Sequence, residues 1–328
     1  MVTMRDVSKL ANVSVATVSR VMNNNGYVNE RTKEKVLAAI KELNYRPNDV
    51  ARSLFKGKSK MIALFVPDIR NPFFPELARA VEDISNMHHY TFILCNTDND
   101  PAKEVNYLNA LLQKSIDGVI IVSSTMSVKQ LREIKVPIVA LDRKLDAEFP
   151  AVTVNNREGA KIAVRYLKET GCKHIAHIAG PQDIISSSER MKGYLDVVQK
   201  EYRFSDDYIR FGNYTYEDAF EVAKELLTSH STVDGIFAAN DLMAIGVLKA
   251  AEYLGINVPN DLSIIGFDGI TIGRTTSPTL TTMEQPIYII GKRATEILLQ
   301  QIEEPDRRIP SEEYKVTLIQ RESTKERS

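Results

Sequence analysis

Val13-Ser14-Val15-Ala16-Thr17-Val18-Ser19-Arg20-Val21-Met22-Asn23 is the stretch on which the fold of the chain's beginning turns. Ser14 is a cap residue placed just before a short run of helical spacing, and the spacing predicts a helix from there to about Met22. At about 100° per residue, Val18 and Val21 point one way while Ala16, Ser19 and Arg20 point nearly opposite, so one face packs and the other is free to read. Upstream, Thr3 with Asp6 three residues on makes a capping box, Val7 and Leu10 supply an apolar stripe, and Asn12 ends the segment. Downstream, Asn29 opens a third helix in which Val36, Leu37, Ile40 and Leu43 recur at helical spacing up to Asn44. Two short helices joined by a tight turn and braced by a third form a helix-turn-helix, whose second helix enters the major groove of DNA. On that reading Arg20 makes a bidentate contact to guanine O6 and N7, Val15 and Ala16 touch a thymine methyl, and Ser14, Thr17, Ser19 and Asn23 hold phosphates. Thr3 is counted with them as a DNA-binding residue. A surface arginine also pairs with acids, so the helix pattern alone leaves both roles open for Arg20.

Beyond residue 60 the pattern changes. Short apolar runs at 62–66, 91–95, 119–122, 138–141, 175–178, 236–239 and 263–267 alternate with helical stretches at 76–87, 103–114, 159–169, 188–202, 216–227, 242–254 and 287–302. Continuous apolar strands alternating with helices predict parallel sheets covered on both faces. Some 270 residues is long for one such sheet, so two lobes are expected, with crossings near Asn156 and at 285–288, and with 315–319 as a third crossing or a final strand. The predicted organisation is a helix-turn-helix domain at 1–46, a hinge and linker at 47–60, and a core at 61–328. Its N-lobe takes about 61–156 plus 288–319, and its C-lobe about 157–287. Ligands in open sheets of this kind sit beyond the carboxyl ends of the strands. Here those ends carry Asn71-Pro72-Phe73-Phe74, Asp142-Arg143, Asn240-Asp241 and Phe267-Asp268, with Arg190 and Tyr214 in or beside loops and Gln285 at a crossing. Flat apolar faces with charged and amide groups are what a sugar ring needs in a closed cleft. Singly, Phe73 and Phe74 read as readily as core, and Asp142-Arg143 as a structural ion pair.

The 328 residues carry a formal charge of −1 that conceals a split. Residues 1–60 hold 12 Lys and Arg against five acids, a net of +7, which leaves −8 on the remainder. A basic head on an acidic body predicts that the head meets a polyanion. No run approaches the roughly 18 uninterrupted apolar residues of a membrane span, and the first residues lack the order of a signal peptide, so a cytoplasmic protein without membrane contact is expected. Cys95 and Cys172 stand 77 positions apart without a CxxC partner, which opposes a disulfide framework and structural zinc. The five histidines have no metalloprotease spacing, and neither GxGxxG nor GxxxxGK[ST] is present. No metal site, catalytic residue or cofactor is assigned, and the protein is not read as an enzyme.

The segment from Val2 to Asn23, followed by Tyr45-Arg46-Pro47-Asn48-Asp49-Val50-Ala51-Arg52-Ser53-Leu54, closely resembles the lactose-repressor family of bacterial transcription regulators. The resemblance runs the whole chain and implies a small all-α helix-turn-helix head on an α/β core of two parallel-sheet lobes like the periplasmic sugar-binding proteins. It implies a homodimeric repressor in which Arg20, Val15 and Ala16 read the major groove. Ala51 and Leu54 match hinge residues that enter the minor groove, with Leu54 as the wedge. A hinge helix from Asp49 to about residue 55, capped by Asn48, is shorter than the roughly 12 to 15 residues needed for marginal stability alone, so it would fold only when paired on kinked DNA.

The runs at 71–74, 99–104 and 141–143, with Phe237-Ala238-Ala239-Asn240-Asp241 and Gly266-Phe267-Asp268-Gly269, resemble ribose-binding members of the periplasmic sugar-binding proteins. That resemblance implies that Asn71, Phe73, Phe74, Asp142, Arg143, Arg190, Asn240, Asp268 and Gln285 hold D-ribose. Tyr214 stands where a phenylalanine stacks on the sugar. The implied function is repression of a ribose operon, relieved by D-ribose. The chain also resembles the catabolite control protein of Gram-positive bacteria, which implies a serine-phosphorylated phosphocarrier protein as a partner, with Met87-His88-His89-Tyr90 as a contact. A transport-related sugar-binding protein without DNA contact is the alternative of another class, opposed by the basic head.

Overall fold

The computed structural model describes residues 2–23, 25–45, 58–122, 125–143, 145, 148–200 and 204–326. Ala51, Leu54 and most of the 47–60 hinge lie outside them. The chain divides into two units, Met1–Ser59 and Lys60–Ser328.

In the first unit, helices α1 (Met4–Ala11), α2 (Val15–Asn23) and α3 (Glu30–Glu42) close on a small core of Val7, Ala11, Val18, Val36, Ala39 and Tyr45. The Asp6 carboxylate accepts from both the backbone N and the Oγ1 of Thr3 at 2.8 and 2.7 Å. Asn12 ends α1 at φ 52°, in the left-handed conformation that asparagine tolerates. Asn29 caps α3 by accepting from the Arg31 N–H. Leu10 and Leu37 are exposed, contrary to the stripes read from the sequence, and Ala11 and Ala39 take the buried positions. The physical reason is spacing: Val7 and Ala11, four apart, share a face, and small alanines let short helices approach closely.

In the second unit, β1 (Met61–Val66), β2 (Thr91–Asn96), β3 (Gly118–Ile121), β4 (Ile138–Leu141), β5 (Ala151–Val154) and β11 (Glu312–Tyr314) form one sheet, ordered β11-β5-β4-β3-β1-β2, with every pair parallel. Strands β6 (Ile175–Ala179), β7 (Ile209–Phe211), β8 (Gly235–Ala238), β9 (Ser263–Asp268), β10 (Thr281–Glu284) and β12 (Thr317–Ile319) form the other, ordered β12-β10-β9-β8-β6-β7. Only the β10–β12 pair in it is antiparallel. The first five strands of each lobe thus repeat one 2-1-3-4-5 order, with a switch point beside the first strand of the lobe. Both faces are buried: Ile62, Leu64 and Val66 of β1 enter one apolar cluster while Ala63 and Phe65 enter another. That alternation explains why the strands read as unbroken apolar runs.

Helices α4 (Phe73–Met87), α5 (Pro101–Gln113) and α6 (Val128–Arg132) follow strands of the first lobe, and α11 (Ile287–Glu303) returns to it. Helices α7 (Asn156–Glu169), α8 (Ile185–Val198), α9 (Tyr216–Ser229) and α10 (Asp241–Tyr253) cover the second. The chain passes between the lobes after Val154, after Glu284 and between Tyr314 and Thr317. The last passage corrects the lobe boundary read from sequence. Residues 317–319 pair with β10 in the second sheet, and Ser323 beyond them donates to the Ile264 carbonyl there, so they do not belong with the N-lobe. Strands β5, β7, β10 and β11 are three or four residues long, and several carry threonine, arginine or glutamate, which is why no apolar run announced them.

Candidate functional site

The outward face of α2 carries Val15, Ala16 and Arg20, all exposed, while Val18 is fully buried and Val21 packs against the head core. Ser14 Oγ accepts from the Thr17 backbone N–H at 3.1 Å and lies 2.9 Å from Thr17 Oγ1, which fixes the start of the helix. The Asn23 amide donates to Ser19 O and Oγ. An exposed valine, a small alanine and a guanidinium side by side form a surface suited to base edges in a major groove.

In the second unit Asp142, Tyr214, Asp268 and Gln285 gather at the carboxyl ends of the strands, around Arg190. This arginine on α8 is 3 % exposed. Its Nε donates to Asn156 Oδ1 at 2.8 Å, its Nη1 donates to the Ala239 carbonyl at 2.5 Å and to Asp268 Oδ1 at 3.2 Å, and its guanidinium lies 3.8 Å over the Phe267 ring. Gln285 Nε2 donates to the same Asp268 Oδ1 at 2.7 Å. Burial alone would lower the Arg190 pKa, but the neighbouring Tyr214, Asp268 and Asp142 side chains reverse this and raise it. Asp268 is pushed up to about 6, chiefly by burial, against the pull of Arg190 and Gln285. Asp142 is likewise raised by burial, with Arg190 and the neighbouring Ser186 and Asn156 opposing.

Asp142 directly follows β4 in the first lobe, whereas Arg190, Ser186 and Asp268 belong to the second, so this cluster spans the gap between the lobes. Three buried polar atoms in it accept or donate no hydrogen bond among the described residues: Asp142 Oδ1, Tyr214 OH and Gln285 Oε1. Each such atom costs about 1–3 kcal/mol when left without a partner, which suits a cleft built to receive a polar molecule. The backbone is held in the left-handed half of conformational space at Asp142 (φ 61°), Tyr214 (φ 61°) and Asp268 (φ 113°). Strain of about 1–3 kcal/mol at each is retained where side chains must be aimed. Gly180 makes room for the Tyr214 ring: a Cβ there would stand 2.5 Å from Tyr214 Cε1.

Asp142 and Arg143, adjacent in the sequence, meet different charged groups. Asp142 feels Arg190 across the cleft, whereas Arg143, its pKa lowered by burial, is held up by Glu104 within its own lobe. Asn240 is buried and caps α10 by accepting from the Met243 N–H at 2.8 Å. Asn71, Phe73 and Phe74 stand at the start of α4, three residues earlier than the sequence pattern placed it. Asn71 Oδ1 accepts from the Phe73 N–H, Phe73 is buried, and the two rings meet edge to face at 5.2 Å. Their apolar cluster also takes in Leu242 and Ile270 from the second lobe, so these rings belong to a core that joins the lobes. In the run at 87–90, Met87, His88 and His89 are exposed, whereas Tyr90 is buried with the Lys60 ammonium 4.0 Å from its ring.

Asn156, Ser186 and Phe267 are site residues that sequence reasoning did not single out for these roles. A crossing asparagine, a triple serine at 186–188 and an aromatic before Asp268 were the available signals. Asp241 was named only as a neighbour. It accepts from the Gly269 and Ile270 N–H groups and from Thr282 Oγ1 at 2.8, 2.8 and 2.6 Å, and burial pushes its pKa up to about 8. It ties three strand ends together beneath the cleft. Among the described residues no cluster of histidine, cysteine and carboxylate suits a metal ion, and no helix is long and apolar enough to cross a membrane.

Residues 3–48 match the model of bacterial regulatory proteins of the lacI family, and residues 59–327 match that of periplasmic binding proteins and the sugar-binding domain of the LacI family. The ribose operon repressor of Halalkalibacterium halodurans is 47% identical over 325 residues, covering 99% of this chain and 98% of that protein. A LacI-family transcriptional regulator from Enterococcus faecium solved with bound ribose is 30% identical, with a TM-score of 0.73 over 81% of this chain and 98% of that one. The lac repressor dimer bound to operator and the anti-inducer ONPF is 26% identical, with a TM-score of 0.88 over 99% of both chains.

Proposed function

The chain belongs to the LacI family of bacterial transcription regulators, and we propose that it is the homodimeric repressor of a ribose operon, released from its operator when D-ribose enters the interlobe cleft. The observation that carries the ligand reading is the set of partnerless buried atoms, Asp142 Oδ1, Tyr214 OH and Gln285 Oε1, set around Arg190 and Asp268. A pentose offers hydroxyls to such acceptors, and a planar base would match fewer of them. Asn71, Phe73, Phe74, Arg143 and Asn240 complete the proposed ligand set. The similarity to a ribose operon repressor and to a ribose-bound regulator supports the same choice.

Thr3, Ser14, Val15, Ala16, Thr17, Ser19, Arg20 and Asn23 form the proposed operator-binding surface, with Ala51 and Leu54 as its minor-groove part. The protein would act in the cytoplasm, where its operator is. Because Asp142 sits on one lobe and Arg190 on the other, a sugar bridging them stabilises the closed arrangement over any open one. A ligand shifts an equilibrium only by its differential affinity, typically about 1–3 kcal/mol, or about 5- to 150-fold in operator affinity.

Calorimetry against pentoses, hexoses and purine bases tests the ligand, and band shifts with and without ribose test the response. Ribose is expected to bind in preference to the others and to weaken the operator complex. Unchanged or raised operator affinity at saturating ribose overturns the inducer assignment.

A further inference from the structure

His177 lies in the middle of β6, fully buried. Its ring is stacked between Tyr194, at 5.1 Å and 23°, and Phe237, at 4.8 Å and 13°. Phe237 in turn meets Phe267 at 6.5 Å, and Phe267 carries the Arg190 guanidinium 3.8 Å above its face. The column therefore begins and ends on one helix, since Tyr194 and Arg190 are four residues apart on α8. Tyr194 OH also donates to the Ile175 carbonyl at 2.8 Å, two residues before His177 on the same strand. His177 Nδ1 is 2.8 Å from the Phe237 carbonyl, which only accepts, so Nδ1 bears the proton. Nε2 is then a buried acceptor without a partner among the described residues. A leucine or valine would fill a strand core more cheaply than a half-satisfied imidazole. What the imidazole adds is a flat face on each side and a bond that fixes the plane of that face. Burial holds it neutral, with a pKa lowered to about 4, so no charge disturbs the stack at ordinary pH.

We propose that His177 is a positioning residue for ligand binding: through the Tyr194–His177–Phe237–Phe267 column it sets the height of α8 on its sheet and so aims the Arg190 guanidinium into the cleft. The proposal rests on the sugar-binding reading above for its consequence, though the column itself does not need a ligand.

The test uses the full chain with His177→Leu, His177→Met and His177→Phe. In sugar-free protein, hydrogen exchange of the Arg190 Nε–H, assigned by its loss in Arg190→Lys, reports how firmly the guanidinium is held. The two aliphatic variants are expected to exchange about tenfold faster or more, and the phenylalanine variant to stay near the wild type. Calorimetry with D-ribose is expected to show about tenfold weaker binding in the aliphatic variants and recovery in His177→Phe, the size set by loss of aromatic contacts. Wild-type exchange rates in both aliphatic variants, or in the one that folds, overturn the proposal, as does equal weakening in all three variants. If wild-type protein binds no ribose, the functional reading fails while the exchange measurement still decides the column.

Discussion

Replacing Arg190 by methionine removes the guanidinium at the centre of the cleft cluster while keeping an unbranched apolar stem over Phe267. The substitution deprives Asn156 Oδ1 and the Ala239 carbonyl of their donor and leaves Asp268 Oδ1 only the one from Gln285, all at buried positions. Breaking a buried pair by removing one partner costs about 3–5 kcal/mol, and for a domain of this size that lowers Tm by about 10 °C. The loss must depend on pH. Arg190 lowers the pKa of Asp268, whose folded value is about 6 and hence above its unfolded value. Below about pH 6 the Asp268 carboxyl is largely protonated in the wild type, and little charge is left for Arg190 to neutralise. Above that value the carboxylate needs the arginine, so the penalty of the substitution grows as pH rises. Urea unfolding of wild type and variant at pH 5.5 and 8 measures this, and ribose calorimetry on the same samples is expected to show binding lost at both. A penalty below about 1 kcal/mol at pH 8, or one equal at the two pH values, would refute the electrostatic account of the cleft.

Arg20→Ala is expected to weaken operator binding about 5- to 150-fold, from about 1–3 kcal/mol for a bidentate base contact, without altering ribose affinity; band shifts against operator and unrelated DNA check it. Asp241→Asn keeps an oxygen for the Gly269 and Ile270 N–H groups and an amide for Thr282. Because the native Asp241 carboxyl holds its proton up to about pH 8 and the unfolded one does not, wild-type stability falls by up to about 2 kcal/mol between pH 6 and 8. The asparagine variant is expected to lose that slope, as urea unfolding at both pH values would show. Gly180→Ala drives a methyl against Tyr214 and is expected to weaken ribose binding about tenfold with a small fall in Tm; calorimetry showing unchanged affinity would place Tyr214 outside the cleft.

The chain's sequence by itself determined the helix-turn-helix head and the strand–helix alternation of the body. Both are written in short-range signals: caps at Thr3, Ser14 and Asn29, and apolar periodicity that each element satisfies within itself. The polar ends of the strands were legible for the same reason. What the tertiary structure alone decided was the partner of each of those ends. Asp142 feels the charge of Arg190, 48 positions on, and Asp268 shares one oxygen between Arg190 and Gln285. The choice of Asn156, Ser186 and Phe267 as their neighbours, and the passage of 317–319 into the second sheet, follow from strand order and register. Those depend on how two sheets pack their helices across the whole chain, and no window of sequence contains that information.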